Sequence, residues 1–201
     1  MVESAALGAW ELAYFASQTP EANATSLLDG PGPASLKAGH KAWREVYYGL
    51  CEAKHTFEDA FRSLQWTGPA AIEMIRAVSC YALWLDDTKD LVGETAKQIV
   101  RIVSAYDAAW LKIVGPDRIA KNRAQLQELI ASDRFGENAE AITATEAEYE
   151  QYRVQNAEVM FRYANEATAA MSQVLPFGRR RSPMRRVHIY DVGEINEGPP
   201  N

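Results

Sequence analysis

Histidines and cysteines are the side chains best suited to bind a metal ion or to act as nucleophiles, and this 201-residue chain has three and two of them. Of His40, His55 and His188, only His55 stands at a Glu-x-x-His spacing, with Glu52. A di-iron helix bundle needs a Glu-x-x-His pair on each of two helices, and the chain does not carry two such pairs. A glycine-rich phosphate loop and a Ser-His-Asp or Cys-His arrangement are also absent from the sequence. The residue types therefore predict no metal site, no cofactor, no small-molecule substrate and no enzyme activity.

The two cysteines, Cys51 and Cys80, are too few for a disulfide framework. They are nearly equidistant from a predicted turn at residues 65–68, which would put them at similar heights on facing helices. A disulfide needs Cα atoms within about 7 Å, whereas packed helices lie about 8–10 Å apart. We therefore expect two free thiols.

Composition and charge exclude several classes of protein. The chain is 47% hydrophobic and 24% charged, as is usual for a globular domain, and its net charge of −6 argues against a nucleic-acid partner. The N-terminal region has no Lys or Arg before Lys37, so no Sec-type signal is expected, and no apolar run is long enough for a transmembrane helix. On these features alone, a cytosolic protein is the simplest expectation.

Helical periodicity dominates the chain. Apolar residues spaced three and four apart predict long helices at residues 33–65, 69–114, 116–131 and 138–174, with short ones near 4–17 and 20–28. Proline and glycine pairs such as Gly115-Pro116 supply the breaks. The prediction is an all-α fold, an elongated bundle of long antiparallel helices.

The first two long helices must form a hairpin, because only a few residues around Trp66-Thr67-Gly68 separate them. Their apolar stripes are wider than one mutual seam requires, which predicts an exposed apolar face and a partner protein. In the alternative, the short N-terminal helices and the last long helix cover that face.

Short motifs follow one another in a fixed order along residues 12–175. They are Thr19-Pro20-Glu21-Ala22-Asn23, Gly30-Pro31-Gly32-Pro33, Lys41-Ala42-Trp43, Trp66-Thr67-Gly68-Pro69, Ala105-Tyr106-Asp107, Asn122-Arg123, Phe135-Gly136-Glu137-Asn138 and residues 144–150. In this order they resemble the PPE family, with Thr19 in place of the first proline of the Pro-Pro-Glu motif. We expect an N-terminal extension at 1–11, a PPE domain at 12–175 and a basic, disordered tail at 176–201.

The resemblance implies a substrate of type VII secretion, a system linked to virulence, made in the cytoplasm and exported to the cell surface or extracellular space. A PE protein would complete a four-helix bundle on the hairpin to give a heterodimer. The Trp66-Thr67-Gly68 turn would combine with a Tyr-x-x-x-Asp/Glu motif of that partner as the export signal for the secretion ATPase and membrane complex. The PE interface is expected at Leu36, Trp43, Leu50, Phe57, Leu64, Ile75, Val78 and Leu85.

The resemblance also implies a cytosolic EspG-type chaperone that binds the turn after the third long helix. Its contacts are expected at Leu129, Ile130, Ala131, Ser132, Asp133 and Phe135. Two other functions stay open: a cytosolic all-α ligand-binding bundle or enzyme, and an exported effector that acts through the arginine-rich tail. A self-supplied signal at Tyr190 to Glu194 is a further possibility within that tail.

Overall fold

A computed structural model describes residues 12–65 and 67–177, and within these ranges every regular element is a helix. The five helices are α1 (Pro20–Leu28), α2 (Ala34–Arg62), α3 (Pro69–Lys112), α4 (Pro116–Ser132) and α5 (Ala139–Ser172). Residues 12–17 are also helical. The predicted all-α helical bundle is confirmed.

Proline begins three helices. The first N–H groups of a helix have no acceptor within the helix, so a residue without an N–H is tolerated there. Proline opens α1, α3 and α4 at Pro20, Pro69 and Pro116. At α1 the preceding Thr19 is the N-cap, and its hydroxyl oxygen accepts a hydrogen bond from the Ala22 N–H at 3.2 Å. The threonine that replaces a family proline thus stabilises the helix start with a side-chain cap.

The chain divides into two compact units. The first, called here the motif unit, comprises the described residues up to Trp43 together with Glu94–Val174. The second, the hairpin unit, comprises Arg44–Gly93 together with the described residues 175–177. Helices α2 and α3 each contribute to both units.

The core of the motif unit is built where α1 packs on α4 and α5. One buried cluster contains Ala24, Val114, Ile119 and Tyr152, and a second contains Leu27, Ala109, Val159 and Met160. Both clusters draw on α1 and α5, so this short first helix is held by apolar burial on the same surface that carries the sequence motifs.

Three contacts fix the register of the hairpin unit. A Cβ added to Gly93 of α3 would lie 3.3 Å from the Tyr47 ring of α2, so glycine permits this close approach. Lys54 Nζ lies 2.5 Å from Asp86 Oδ2, and the Phe57 and Tyr81 rings meet edge to face with centroids 4.8 Å apart.

This register shows that the predicted alignment of the cysteines is wrong. It places Cys51 opposite residues near 88 and Cys80 opposite residues near 59, an offset of about eight residues or ~12 Å along the helix. The contacts centre the pairing on about residue 70, whereas the end of α2 at Arg62 and the start of α3 at Pro69 centre the turn on about residue 65, so the first turns of α3 extend beyond the end of α2. Both cysteines are free and half-buried.

Candidate functional site

The Pro-Pro-Glu-like motif lies against a fully buried asparagine of α5. Asn156 is 0% exposed, and its Nδ2 donates to the Pro20 carbonyl at 2.9 Å and to the Val114 carbonyl at 3.0 Å. Its Oδ1 accepts from the Val114 N–H at 2.8 Å. One side chain thereby joins the start of α1, the chain just after α3, and α5. Asn156 was not among the predicted site residues. The one feature of the sequence that could have indicated it is a polar residue on the apolar face of a helix.

The glutamate of the same motif is bound by a second motif. Tyr149 donates its hydroxyl hydrogen to Glu21 Oε2 at 3.1 Å, and the Arg123 guanidinium lies 3.9 Å from the centre of the Tyr149 ring. Such a cation over an aromatic face is attractive when partly desolvated. Burial, followed by the hydrogen bond to the Glu21 carboxylate, raises the pKa of Tyr149. Pro20 and Glu21 therefore join α1 to α5, whereas Thr19 is exposed and caps the start of α1.

Asn122 extends this network between α4 and α5. It is 3% exposed, and its Nδ2 donates to the Thr145 carbonyl at 3.0 Å and to Glu148 Oε2 at 2.9 Å. Tyr152 donates to the other oxygen of Glu148. Hydrogen bonds from Tyr152 and Asn122 hold the pKa of Glu148 below its ordinary value. The Asn122-Arg123 motif and the motif at 144–150 are thus joined in space.

The turn between α4 and α5, the predicted chaperone-binding tip, presents large apolar side chains to solvent. Phe135 is 87% exposed and Ile130 is 50% exposed, whereas Leu129 is half-buried. Ala131 and Ser132 are exposed and Asp133 is half-buried. Most of the predicted contact residues are therefore accessible at the end of α4 and on the turn after it.

Hydrogen bonds across the turn hold this tip in one shape. Asn138, at the N-cap of α5, donates from Nδ2 to the Leu129 carbonyl and to Ser132 Oγ, both at 2.9 Å. The Asn138 N–H donates to Asp133 Oδ1 at 3.2 Å. Gly136 has φ +81°, a left-handed conformation that favours glycine.

The predicted export-signal turn lies between α2 and α3. Thr67 and Gly68 are exposed, and Gly68 has φ +98°. The Gly68 carbonyl accepts the first hydrogen bonds of α3 from Ala71 and Ile72. Trp66 lies outside the described residues, as do residues 1–11 and 178–201, which hold the predicted N-terminal extension, His188 and most of the basic tail.

The residues predicted for the PE interface differ in their access to solvent. Leu64 is 54% exposed, and Leu36, Trp43, Leu50, Phe57, Ile75 and Val78 are half-buried. Leu85 is only 3% exposed and offers no surface to a partner, because it is buried within the chain itself. We correct its assignment: Leu85 belongs to the chain's own core.

A second stripe on α2 is open and was missed in the sequence. It consists of Gly39, Ala42, Val46, Gly49, Ala53, Thr56 and Ala60, spaced alternately three and four apart. All are exposed except Gly39, which is half-buried, and a Cβ added to Gly39 or Gly49 would meet nothing within 4 Å. We call this the small-residue face. Its heptad spacing is present in the sequence, but alanine and glycine are small and give a weak apolar signal, so only the stripe of large apolar residues was predicted as an interface.

The small-residue face borders a groove of about 530 Å³ in the hairpin unit. Gly49, Ala53 and Ala60 line it on α2, and the Phe57 and Tyr81 rings form its aromatic wall. The opposite side of α2 is charged and carries Lys41, Arg44, His55, Asp59 and Arg62. Helix α2 has no buried residue at all. An amphipathic helix whose apolar side stays this open is unusual in a monomer.

The described residues contain no cluster of three or more His, Cys, Asp and Glu side chains arranged to hold a metal ion. His40 is half-buried, and His55 is exposed beside Asp59, with Nε2 3.3 Å from Oδ2. No helix in the described part of the chain is both long and apolar enough to cross a membrane.

Comparison with known proteins agrees with the motifs. The PPE family model matches residues 14–175. The chain is 39% identical over 167 residues to the uncharacterized PPE family protein PPE61 of Mycobacterium tuberculosis, an alignment that covers 81% of this chain and 41% of that protein. Against PPE family protein PPE18 of the same organism, it is 37% identical over 166 residues, with 81% and 42% coverage. The chain thus spans about two fifths of the length of these relatives.

Proposed function

The chain belongs to the PPE family, in the PE/PPE class associated with type VII secretion, and from that premise we propose a secretion substrate that acts by binding. It forms a heterodimer with a PE protein on the open side of α2, and an EspG-type chaperone binds the α4–α5 tip before export. The heterodimer is made in the cytoplasm and passes through the type VII ATPase and membrane complex to the cell surface or outside. No catalysis is part of this proposal.

The observation that carries the PE partner is the open, amphipathic α2. Its 29 residues include no buried one, although its large apolar residues and its small-residue face lie on adjoining sides of the helix. A partner helix laid along Gly49, Ala53 and Ala60 can approach the α2 backbone closely, since these three residues have no atom beyond Cβ and Thr56 between them is small. It would bury the groove wall formed by Phe57 and Tyr81 and remove apolar surface from water.

The charges on α2 determine which side a partner can cover. On the side of Lys41, Arg44 and Arg62, burial would desolvate several ionised groups at a high energetic cost. The stripe of the small-residue face has no charged side chain from Gly39 to Ala60, and Glu52 is the one charged residue that lines the adjoining groove. The favourable docking side is therefore the small-residue face.

The test is co-expression with PE proteins from the same genome, followed by co-purification through a tag on the PE protein. We expect the wild-type chain and His55→Arg to co-purify, and Ala53→Arg to be lost. The arginine introduced at position 53 would be buried without a partner, which we expect to weaken the complex at least about a hundredfold. His55→Arg is the matched control because it adds the same group two residues away on the charged side. Retention of Ala53→Arg in the complex would contradict this interface.

The tip supports the chaperone part of the proposal. Phe135 and Ile130 are large apolar side chains at 87% and 50% exposure, on a turn whose backbone is held by hydrogen bonds. Exposed aromatic anchors of this kind are typical centres of protein interfaces. An exported effector acting through the arginine-rich tail remains a second function for residues outside the described ranges.

A further inference from the structure

Asn138 occupies the N-cap position of α5 but does not cap that helix. No side-chain capping bond is made at this position, although asparagine is among the best N-cap residues. Its amide donates instead to the Leu129 carbonyl and to Ser132 Oγ at the end of α4. The last carbonyls of a helix have no partner within the helix, so Asn138 supplies one for α4 across the turn.

The consequence is a closed turn. The bond from the Asn138 N–H to Asp133 Oδ1 joins the two ends of the segment that carries Phe135. The Asp133 N–H also donates to the Ile130 carbonyl at 3.3 Å, which continues the end of α4. Phe135 itself is 87% exposed, so packing contributes little to its placement, and the turn is held by hydrogen bonds that involve the Asn138 and Asp133 side chains.

We infer that Asn138 is a positioning residue for recognition at the tip. It holds the turn in the shape that presents Phe135 and Ile130, so that a partner binds a turn that is already ordered. Ordering a loop on binding lowers affinity, and a preformed loop avoids that cost. This inference rests on the proposed chaperone site and names the residue that prepares it.

The variant that isolates this role is Asn138→Ser. Serine is as favourable as asparagine at an N-cap position, so the start of α5 is not destabilised. Its shorter side chain does not reach the Leu129 carbonyl, so the bond across the turn is lost. The contact residues Phe135 and Ile130 are unchanged.

Binding kinetics separate positioning from contact. If the bound shape is less populated in the free protein, the association rate constant falls in proportion while the contacts in the complex stay the same. We expect Asn138→Ser to slow association roughly tenfold, with dissociation little changed. Phe135→Ala removes a contact and is expected to speed dissociation instead.

The experiment uses the full chain co-purified with its PE protein and an EspG-type chaperone that binds the wild-type complex. Association and dissociation rates are measured for the wild type, Asn138→Ser and Phe135→Ala, with hydrogen exchange of residues 133–137 in the free complex. We expect faster exchange of these amides in Asn138→Ser, with the thermal midpoint and PE co-purification retained. If Asn138→Ser associates within twofold of the wild type, the positioning role is wrong. If Phe135→Ala binds as tightly as the wild type, recognition at the tip is wrong.

Discussion

Asn156 shows at the scale of one residue how the family motif is held in place. Its amide meets the Pro20 carbonyl and both backbone groups of Val114, and no described buried side-chain polar atom lacks a hydrogen-bond partner. A buried amide that satisfies three backbone groups is costly to remove, because each group is then left in a dry environment. The motif at Thr19 to Glu21 therefore depends on a side chain more than 130 positions away in the chain.

We expect Asn156→Ala to lower the free energy of unfolding by about 3 kcal/mol or more, because three backbone groups lose their partner. The measurement is urea denaturation of the PE complex, followed by circular dichroism. Gln155→Ala is the matched control: its exposed side chain makes one hydrogen bond, to the Lys112 carbonyl at 2.7 Å, and its loss is expected to cost about 1 kcal/mol or less. Equal losses for the two variants would refute the role of Asn156.

At the scale of the element, an ionic cluster lies in the seam between α2 and α3. Asp86 binds Lys54 at 2.5 Å and Lys89 at 3.0 Å, and all three side chains are less than a third exposed. Burial alone would raise the pKa of Asp86, but hydrogen bonds from Lys54 and Lys89 outweigh it and hold that pKa below its ordinary 3.8. The hydrogen bond to Asp86 raises the pKa of Lys54 above 10.5 despite its partial burial. Lys89 of α3 thus joins the ion pair of Lys54 and Asp86 that links the two helices.

The direction of these shifts predicts a pH dependence. Because the pKa of Asp86 is lower in the folded state, its contribution to stability is present above its ordinary value and is lost as pH falls below 3.8 through the folded value. The contribution of Lys54 is lost only as pH rises beyond 10.5.

We therefore expect Asp86→Asn to be less stable than the wild type at pH 7, with a difference that shrinks below about pH 4. Urea denaturation of the PE complex at pH 3 to 8 measures this difference. Asp90→Asn serves as the control, because the Asp90 side chain is 75% exposed and lies 3.8 Å from Lys89. A difference for Asp86→Asn that stays constant down to pH 3 would count against the ionic seam.

At the scale of the whole molecule, the described chain leaves much large apolar surface exposed. Val46 and Tyr48 in the middle of α2 and Leu64 and Ile72 beside the hairpin turn are about half exposed, and Trp110, Phe135 and Met171 are exposed elsewhere. Single exposed apolar residues are ordinary, but here several adjoin an amphipathic helix with no buried residue. The proposed PE partner would cover part of this apolar surface.

We expect the chain expressed alone to be insoluble or to form higher oligomers, and to become a 1:1 heterodimer when the PE protein is co-expressed. Size-exclusion chromatography with light scattering gives the mass of each species. The same co-expression with Ala53→Arg is the control and should return the chain to aggregates. A stable, monodisperse monomer of the wild-type chain alone would contradict the prediction.

The amino-acid sequence by itself determined the helices, the hairpin turn and the family. Periodicity and proline act on neighbouring residues, so the ends of α1 to α5 lie within about three residues of the predicted ones, and ordered motifs identify PPE membership directly. The tertiary structure decided which side of α2 stays open, the register that separates Cys51 from Cys80, and the partners of Asn156 and Asn138. These features depend on contacts between segments that are distant along the chain or separated by a turn, and on how closely side chains of given size allow two helices to approach. The spacing of residues along the chain does not specify that geometry.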